Sequence, residues 1–184
     1  PWRTDGSGGG IKPRSESTKF GDQIYRYVIS GTGGDVSSTE LVLGPIVGDT
    51  FYVLQGNELI AYDTMTAEPR WRNIETPRGG VIVSDGNRVA VVSTNSKNIV
   101  QFDCRDGKRL SETPLEDYQI WSSTDNAVLM YRDIDDATRD LVLFDPISGK
   151  DLLRHQYTDL SATNRVFGRV INGAHVVTLS AAGD

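Results

Sequence analysis

Short apolar runs broken by polar turns follow one another through most of the chain. Three stretches, 44–53, 80–91 and 118–130, share one order: a short strand, a turn, and a second strand rich in β-branched and aromatic residues. In each case a third strand runs into a phrase centred on an aspartate, and a fourth strand follows, as in 70–74. Four short antiparallel strands in this order predict one blade of a β-propeller.

The aspartate phrase recurs at a regular interval. It occupies 60–67, 100–107 and 143–149, and its aspartates are 40 and 42 residues apart (Asp63 to Asp103, Asp103 to Asp145). A period of about 40 residues built of strand-like pieces is typical of a propeller array. The fold class predicted from this repeat is therefore all-β, with successive four-stranded antiparallel blades.

Each aspartate is expected to start a turn. An Asp at the end of a strand can accept a hydrogen bond from the backbone two residues on, and a following Gly supplies a left-handed backbone conformation. Gly107 and Gly149 stand at that place, whereas the first phrase has Ala67. We therefore expect Ala67 to adopt a positive φ at a cost of roughly 1 kcal/mol.

The repeat divides the chain into units. Residues 1–19, with Gly8-Gly9-Gly10 and few apolar positions, are expected to be a flexible linker or tail. The propeller segment is expected to span 20–184, with units of approximately 44–78, 79–116 and 117–164 and an incomplete unit at 165–184. Because a closed propeller needs at least four blades, we expect about three full blades of a larger propeller whose remainder lies outside this chain.

Composition narrows the possible functions. The chain has 184 residues and a formal net charge of −6, which disfavours binding to nucleic acid because phosphate backbones attract clustered Lys and Arg. No apolar run approaches the roughly 18 residues of a membrane span. The single cysteine excludes an internal disulfide and a multi-cysteine zinc site, and the presence of only two histidines disfavours a histidine-rich metal centre.

The phrase that runs from Leu59 to Trp71 closely resembles the repeat of the quinoprotein-like (PQQ-repeat) β-propellers. Their blade ends in Ala-x-Asp-x-x-Thr-Gly-x-x-x-Trp, matched here by Ala61, Asp63, Thr66 and Trp71, with Ala67 in place of Gly. The second repeat has Ser111 and the third has Leu153 at the Trp place. The resemblance covers roughly 44–180 and implies that Trp71 docks between neighbouring blades.

The resemblance leaves two function classes open. One comprises cofactor-free propellers that bind proteins or saccharides outside the cytoplasm, and the other comprises quinone-dependent oxidoreductases. The dehydrogenases carry an adjacent cysteine pair, whereas Arg105 follows Cys104 here. We therefore expect a non-enzymatic scaffold or recognition module, periplasmic or extracellular, with no cofactor, no metal and no catalytic residue. A protein or saccharide partner is expected, and the propeller part of a quinone-dependent oxidoreductase is the alternative.

One charged stretch is a candidate ion site. Four carboxylates lie between Asp133 and Asp140 and could ligate calcium through oxygen. However, the stretch lacks the glycine of a calcium loop, contains Arg139, follows Arg132, and falls where the repeat places a hairpin turn. We expect a solvated, lengthened hairpin, with an ion or partner site as the alternative.

Four other residues have side chains that could take part in function: Cys104, His155, His175 and Trp121. Cys104 is expected to be an inert turn cysteine, His175 a structural histidine in an apolar strand, and His155 a surface or blade-edge residue. Most aromatic residues are expected to pack between blades. Trp121 is held open as a ligand contact because it lies in a first strand, and first strands line the central channel of a propeller.

Overall fold

The computed structural model describes residues 26–28, 40–158, 167–171 and 175–179, with side chains over 41–158. Every regular element in these ranges is a β-strand. The predicted linker at 1–19 lies outside the described residues, and so does the side chain of His175. The predicted limits of the linker and of the repeat units stay predictions.

The strands form antiparallel sheets in which each strand pairs with the next along the chain. The first sheet contains β1 (Arg26–Val28), β2 (Glu40–Val47), β3 (Thr50–Gln55), β4 (Glu58–Asp63) and β5 (Pro69–Asn73). The second contains β6 (Val81–Ser84), β7 (Arg88–Ser93), β8 (Asn98–Asp103) and β9 (Arg109–Pro114). The third contains β10 (Gln119–Ser123), β11 (Val128–Asp133), β12 (Arg139–Asp145) and β13 (Lys150–Tyr157), and a further pair consists of β14 (Phe167–Ile171) and β15 (His175–Leu179).

These sheets are the blades of a β-propeller, which confirms the predicted fold class. We call β2–β5 blade 1, β6–β9 blade 2 and β10–β13 blade 3. β1 adds a fifth strand to the sheet of blade 1, through pairs from Arg26↔Val42 to Val28↔Glu40.

The blades pack face to face through two apolar layers. Between blades 1 and 2 lie Tyr52, Leu54 and Leu59 on one side and Val89, Val91 and Phe102 on the other, all at most 1% exposed. Between blades 2 and 3 the layer contains Val83, Val92, Tyr118, Val128, Met130 and Val142. Strand β6 is buried on both faces, because Ile82 points into the first layer while Val81 and Val83 point into the second.

The aspartate phrases form the predicted turns. Asp63 Oδ1 accepts hydrogen bonds from the backbone N–H of Met65 (2.8 Å) and Thr66 (3.0 Å), and the carboxylates of Asp103 and Asp145 do the same for Arg105 and Ile147. At the next position φ is 71° for Gly107, 71° for Gly149 and 56° for Ala67. The positive φ predicted for Ala67 is therefore confirmed.

Each fourth strand contains a β-bulge at the same place. The pairing skips one residue where Ala61↔Trp71 gives way to Tyr62↔Pro69, and the same step recurs in blades 2 and 3. The skipped residues are Arg70, Leu110 and Leu152. An extra residue on one strand bends the outer strand and turns its side chain away from the ladder, and all three of these residues are exposed.

Candidate functional site

Trp71 docks blade 1 onto blade 2. Its side chain is 8% exposed, and its indole Nε1 donates a hydrogen bond of 2.8 Å to the backbone oxygen of Cys104. The ring covers Gly107 so closely that a Cβ added there would lie 2.4 Å from Trp71 Cε3. Asn73 Nδ2 also donates to the Gly107 oxygen, at 2.9 Å. The predicted inter-blade position of Trp71 is thus confirmed, and its ring packs against the aspartate turn of blade 2.

The next interface uses a different donor for the equivalent acceptor. Blade 2 has Gln101 and Ser111 where blade 1 has the cross-strand pair Ala61 and Trp71. Gln101 Nε2 donates to the backbone oxygen of Pro146 at 2.9 Å, and Pro146 follows Asp145 as Cys104 follows Asp103. The Gln101 amide thus binds blade 3 in the way that the Trp71 indole binds blade 2. Gln101, on the strand next to Ser111, supplies the inter-blade hydrogen bond that a Trp at 111 would otherwise donate.

A polar cleft of about 680 Å³ lies between blades 2 and 3. It is formed where β6 and β10 begin and β7 and β11 end, which antiparallel pairing brings to one end of the blades. This end is opposite to the aspartate turns. The lining residues are Gly80, Val81, Thr94, Asn95, Asp117, Tyr118, Gln119, Ile120, Arg132 and Asp133.

A buried carboxylate organises one wall of this cleft. Asp140 is 5% exposed and accepts hydrogen bonds from the Tyr118 hydroxyl (2.6 Å) and from Arg154 Nη1 (2.7 Å). Arg132 Nη2 reaches the same oxygen at 3.3 Å, and its guanidinium lies 4.7 Å from the centre of the Tyr118 ring. Burial, and then the hydrogen bond to Asp140, raise the pKa of Tyr118 above its ordinary value.

The remaining charges at the cleft are also paired. Lys97 Nζ lies 2.7 Å from Asp117, which lowers the pKa of that carboxyl, and Arg139 Nε donates to Asp133 at 2.6 Å. The Arg139 guanidinium lies 4.6 Å from the centre of the Tyr131 ring. Arg139 thus joins the two strands of the β11–β12 hairpin, and Lys97 joins the β7–β8 turn to the connection between β9 and β10.

The structure corrects part of the Asp133–Asp140 prediction. A hairpin does join β11 to β12, and Asp133, Asp135 and Asp136 are exposed, as expected. Asp140 is not solvated, because two arginines and a tyrosine replace its water. Within the described residues no group of three or more His, Cys, Asp or Glu side chains is placed to hold a metal ion.

A second charged cluster lies at the end of blade 1 that carries the Asp63 turn. The bulge residue Arg70 donates to both oxygens of Asp49 (2.9 and 2.6 Å) and to Asp63. This contact, together with the turn amides, lowers the pKa of Asp63 to about 2. In blade 2 the bulge residue is Leu110, and Arg105 binds Asp103 instead, which lowers the pKa of Asp103 to about 2.

Cys104, His155 and Trp121 contact other side chains of the blades. Cys104 Sγ lies 3.5 Å from the Ser84 hydroxyl and contacts the first inter-blade layer. His155 is exposed on the outer strand β13, as predicted, with its ring 4.5 Å from that of Tyr157. Trp121 is the extra residue of a β-bulge in β10, and its ring packs against Tyr131 at 5.4 Å. That contact places Trp121 on the face of blade 3 away from blade 2, outside the cleft.

The cluster of Tyr118, Arg132, Asp140 and Arg154 was not predicted from the sequence. One signal was available, because the predicted hairpin places Arg132 directly opposite Asp140, and these two residues do pair across β11 and β12. Tyr118 and Arg154 are 36 residues apart, and their contact depends on the arrangement of the first and fourth strands, which the repeat does not reveal.

Comparison with known proteins gives distant structural similarity only. No family model and no curated protein matches the chain. Similar solved structures include BamB from Moraxella catarrhalis, a β-propeller protein, with a TM-score of 0.46 and 16% identity over 78% of this chain and 45% of that one. Another is Kuenenia stuttgartiensis hydrazine synthase, with a TM-score of 0.43 and 14% identity over 65% of this chain and 36% of that one.

A third is KlHsv2 with loop 6CD replaced by a Gly-Ser linker, with a TM-score of 0.47 and 12% identity over 85% of this chain and 56% of that one. The chain therefore spans about half, or less, of the length of each of these proteins. The sheets of this chain and the apolar layers between them define the propeller architecture. The described part of the chain contains no helix of the length and hydropathy that a membrane crossing needs.

Proposed function

We propose that this propeller scaffold is a recognition module of the quinoprotein-like type, which binds an extended polar ligand, protein or saccharide, in the cleft between blades 2 and 3. The observation that carries the proposal is the cleft itself. Its volume of about 680 Å³ lies within the range of roughly 300–1,000 Å³ that is usual for ligand sites. Half of its lining lies on strands, which favours precise recognition: Val81, Gln119, Ile120, Arg132 and Asp133.

The charges at the cleft support binding rather than proton transfer. Asp117, Arg132 and Asp133 each have an oppositely charged partner, so the wall presents fixed hydrogen-bonding groups. A general acid or base is instead expected to have a pKa near the working pH. The match to the quinoprotein-like repeat at Ala61, Asp63, Thr66 and the docked Trp71 supports that family. On this resemblance we propose a periplasmic or extracellular location.

The quinone-dependent alternative does not fit the surroundings of Cys104. A quinone of this family is held beside a cysteine pair, whereas the Cys104 thiol faces Ser84 and the layer between two blades. Titration of the purified protein with pyrroloquinoline quinone and calcium should give no saturable absorbance change and no reduction of an artificial electron acceptor. Saturable binding together with acceptor reduction would replace the recognition function by an oxidoreductase.

The recognition function can be tested by filling the cleft. Asn95→Trp places an indole at the lining, and Met65→Trp is the matched control, because Met65 is exposed at the opposite end of blade 1. Proteins and glycans that bind the wild-type chain should bind Met65→Trp equally and Asn95→Trp weakly. Equal binding to all three proteins would show that the cleft is not the site.

A further inference from the structure

Arg132 offers a prearranged guanidinium to the cleft. One edge is held by Asp140, whose side chain is 7% exposed, and one face lies over Tyr118. The Tyr118 hydroxyl binds the same Asp140 oxygen, so neither contact can shift independently. A guanidinium fixed in this way matches the two oxygens of a carboxylate and loses little conformational freedom on binding.

The outward edge of Arg132 is occupied by a carboxylate of the chain itself. Glu116 Oε2 accepts a hydrogen bond of 2.9 Å from Arg132 Nη1. The Glu116 side chain is 71% exposed, on the connection between β9 and β10, whereas that of Arg132 is 33% exposed. An exposed ion pair of this kind contributes little to stability, so exchange of Glu116 for another carboxylate is inexpensive.

The surrounding charges leave this position accessible to an anion. Asp117 forms an ion pair with Lys97 at 2.7 Å, and Asp133 forms one with Arg139 at 2.6 Å. The two acidic residues of the lining are therefore paired with bases of their own. Arg132 is the lining residue whose second partner is a loosely held surface side chain.

The backbone of the cleft suits an extended peptide. Gln119 and Ile120, at the start of β10, belong to the lining. β10 is the edge strand of its sheet, and no described strand pairs with its other side. An extended segment can add to such an edge through main-chain hydrogen bonds while one of its side chains enters an adjacent site.

We propose that the cleft between blades 2 and 3 binds an extended peptide segment through an acidic side chain, whose carboxylate takes the place of Glu116 on Arg132. This inference rests on the proposed recognition function and adds the chemistry of the ligand. It makes Glu116 an internal competitor. Removing the charge of Glu116 frees Arg132. Replacing the guanidinium of Arg132 by the ammonium of lysine removes the paired hydrogen bonds to a carboxylate.

The test uses two capped peptides, acetyl-Ser-Glu-Ser-Val-amide and its Gln counterpart, titrated into ¹⁵N-labelled protein. The Glu peptide should shift the Arg132 Nε–H signal and the Ile120 amide saturably, and the Gln peptide should bind at least about tenfold more weakly. Glu116→Gln should tighten binding of the Glu peptide, and Arg132→Lys should weaken it by about tenfold. Glu75→Gln and Arg105→Lys are the matched surface controls and should leave it unchanged.

Equal affinity for both peptides, or no gain from the exposed Glu116→Gln change, would overturn the inference even if Arg132→Lys perturbed the fold. Binding of an oligogalacturonate in place of the Glu peptide would overturn the choice of a peptide ligand. If Asn95→Trp abolished partner binding while both peptides failed to bind, the carboxylate inference would be wrong and the recognition function would stand.

Discussion

Replacing Gly107 by alanine tests the dock between blades 1 and 2. The new Cβ would lie 2.4 Å from Trp71 Cε3 and 2.7 Å from Cδ2, whereas ordinary contacts are 3.4–4 Å. Both contacted atoms belong to the rigid indole ring, so the whole ring must move by about 1 Å or more to restore an ordinary contact. The hydrogen bond from the indole to the Cys104 oxygen is then stretched or lost. Overpacking of this kind costs about 1–3 kcal/mol.

Backbone strain adds to that cost and can be measured separately. The φ of 71° at Gly107 costs an alanine about 1–2 kcal/mol, partly offset by about 0.4–1 kcal/mol because alanine restricts the unfolded chain. Gly149 has the same φ of 71° and nothing within 4 Å of an added Cβ. Gly149→Ala should therefore cost about 1 kcal/mol, and Gly107→Ala about 2–4 kcal/mol.

Urea denaturation followed by circular dichroism gives both free energies of unfolding. A double-mutant cycle then assigns the difference to the ring, because in a Trp71→Leu background the excess cost of Gly107→Ala should fall below about 0.5 kcal/mol. The reasoning is refuted if Gly107→Ala and Gly149→Ala destabilise the protein equally, or if the excess survives without Trp71.

Three further predictions concern the aspartate turns. Ala67→Gly should raise the free energy of unfolding by about 0.5–1 kcal/mol in urea, because it relieves the positive φ at this turn at some cost in chain entropy; no gain would contradict the strain. Asp145→Ala should lower the free energy of unfolding by about 0.5–2 kcal/mol through loss of the bonds to Ile147 and Ser148, with ligand binding unchanged; intact stability with lost binding would make Asp145 a site residue. Asp63 and Asp103 have pKa values of about 2 in the folded state, below the 3.8 of a free Asp, so their stabilising effect is complete above pH 4 and is lost as pH falls towards 2. Between pH 4 and pH 2 the melting temperature of the wild type should fall more than that of an Asp63→Asn, Asp103→Asn double variant; equal falls in melting temperature would contradict this.

The repeat in the sequence was sufficient to predict the blades and their turns. The spacing of Asp63, Asp103 and Asp145 reflects local chemistry, because a carboxylate binds amides two and three residues away. Ala67 was predictable for the same reason, since φ at the fifth position of such a turn depends on the turn alone. The docking of Trp71 followed from the match to the quinoprotein-like repeat.

The cleft and its charges could not be predicted in the same way. Contacts of Tyr118 with Asp140 and Arg154 join residues 22 and 36 positions apart and depend on how three strands align. The fourth-strand bulge shifts Arg70 out of the ladder, and no local signal marks it. Blade 1 docks through Trp71 on its fourth strand, whereas blade 2 uses Gln101 on its third strand. This replacement is visible only when the accepting carbonyl of Pro146 is known.

Hydrogen exchange at the Trp71 indole tests the packing of successive blades most directly. The Nε1–H signal can be assigned by its disappearance in Trp71→Phe. If blade 1 docks on blade 2 through Trp71 and the Cys104 carbonyl, that proton should exchange with solvent as slowly as the buried amides of β7 and β8. Exchange at the rate of an exposed indole would contradict the face-to-face packing of the blades on which the account depends.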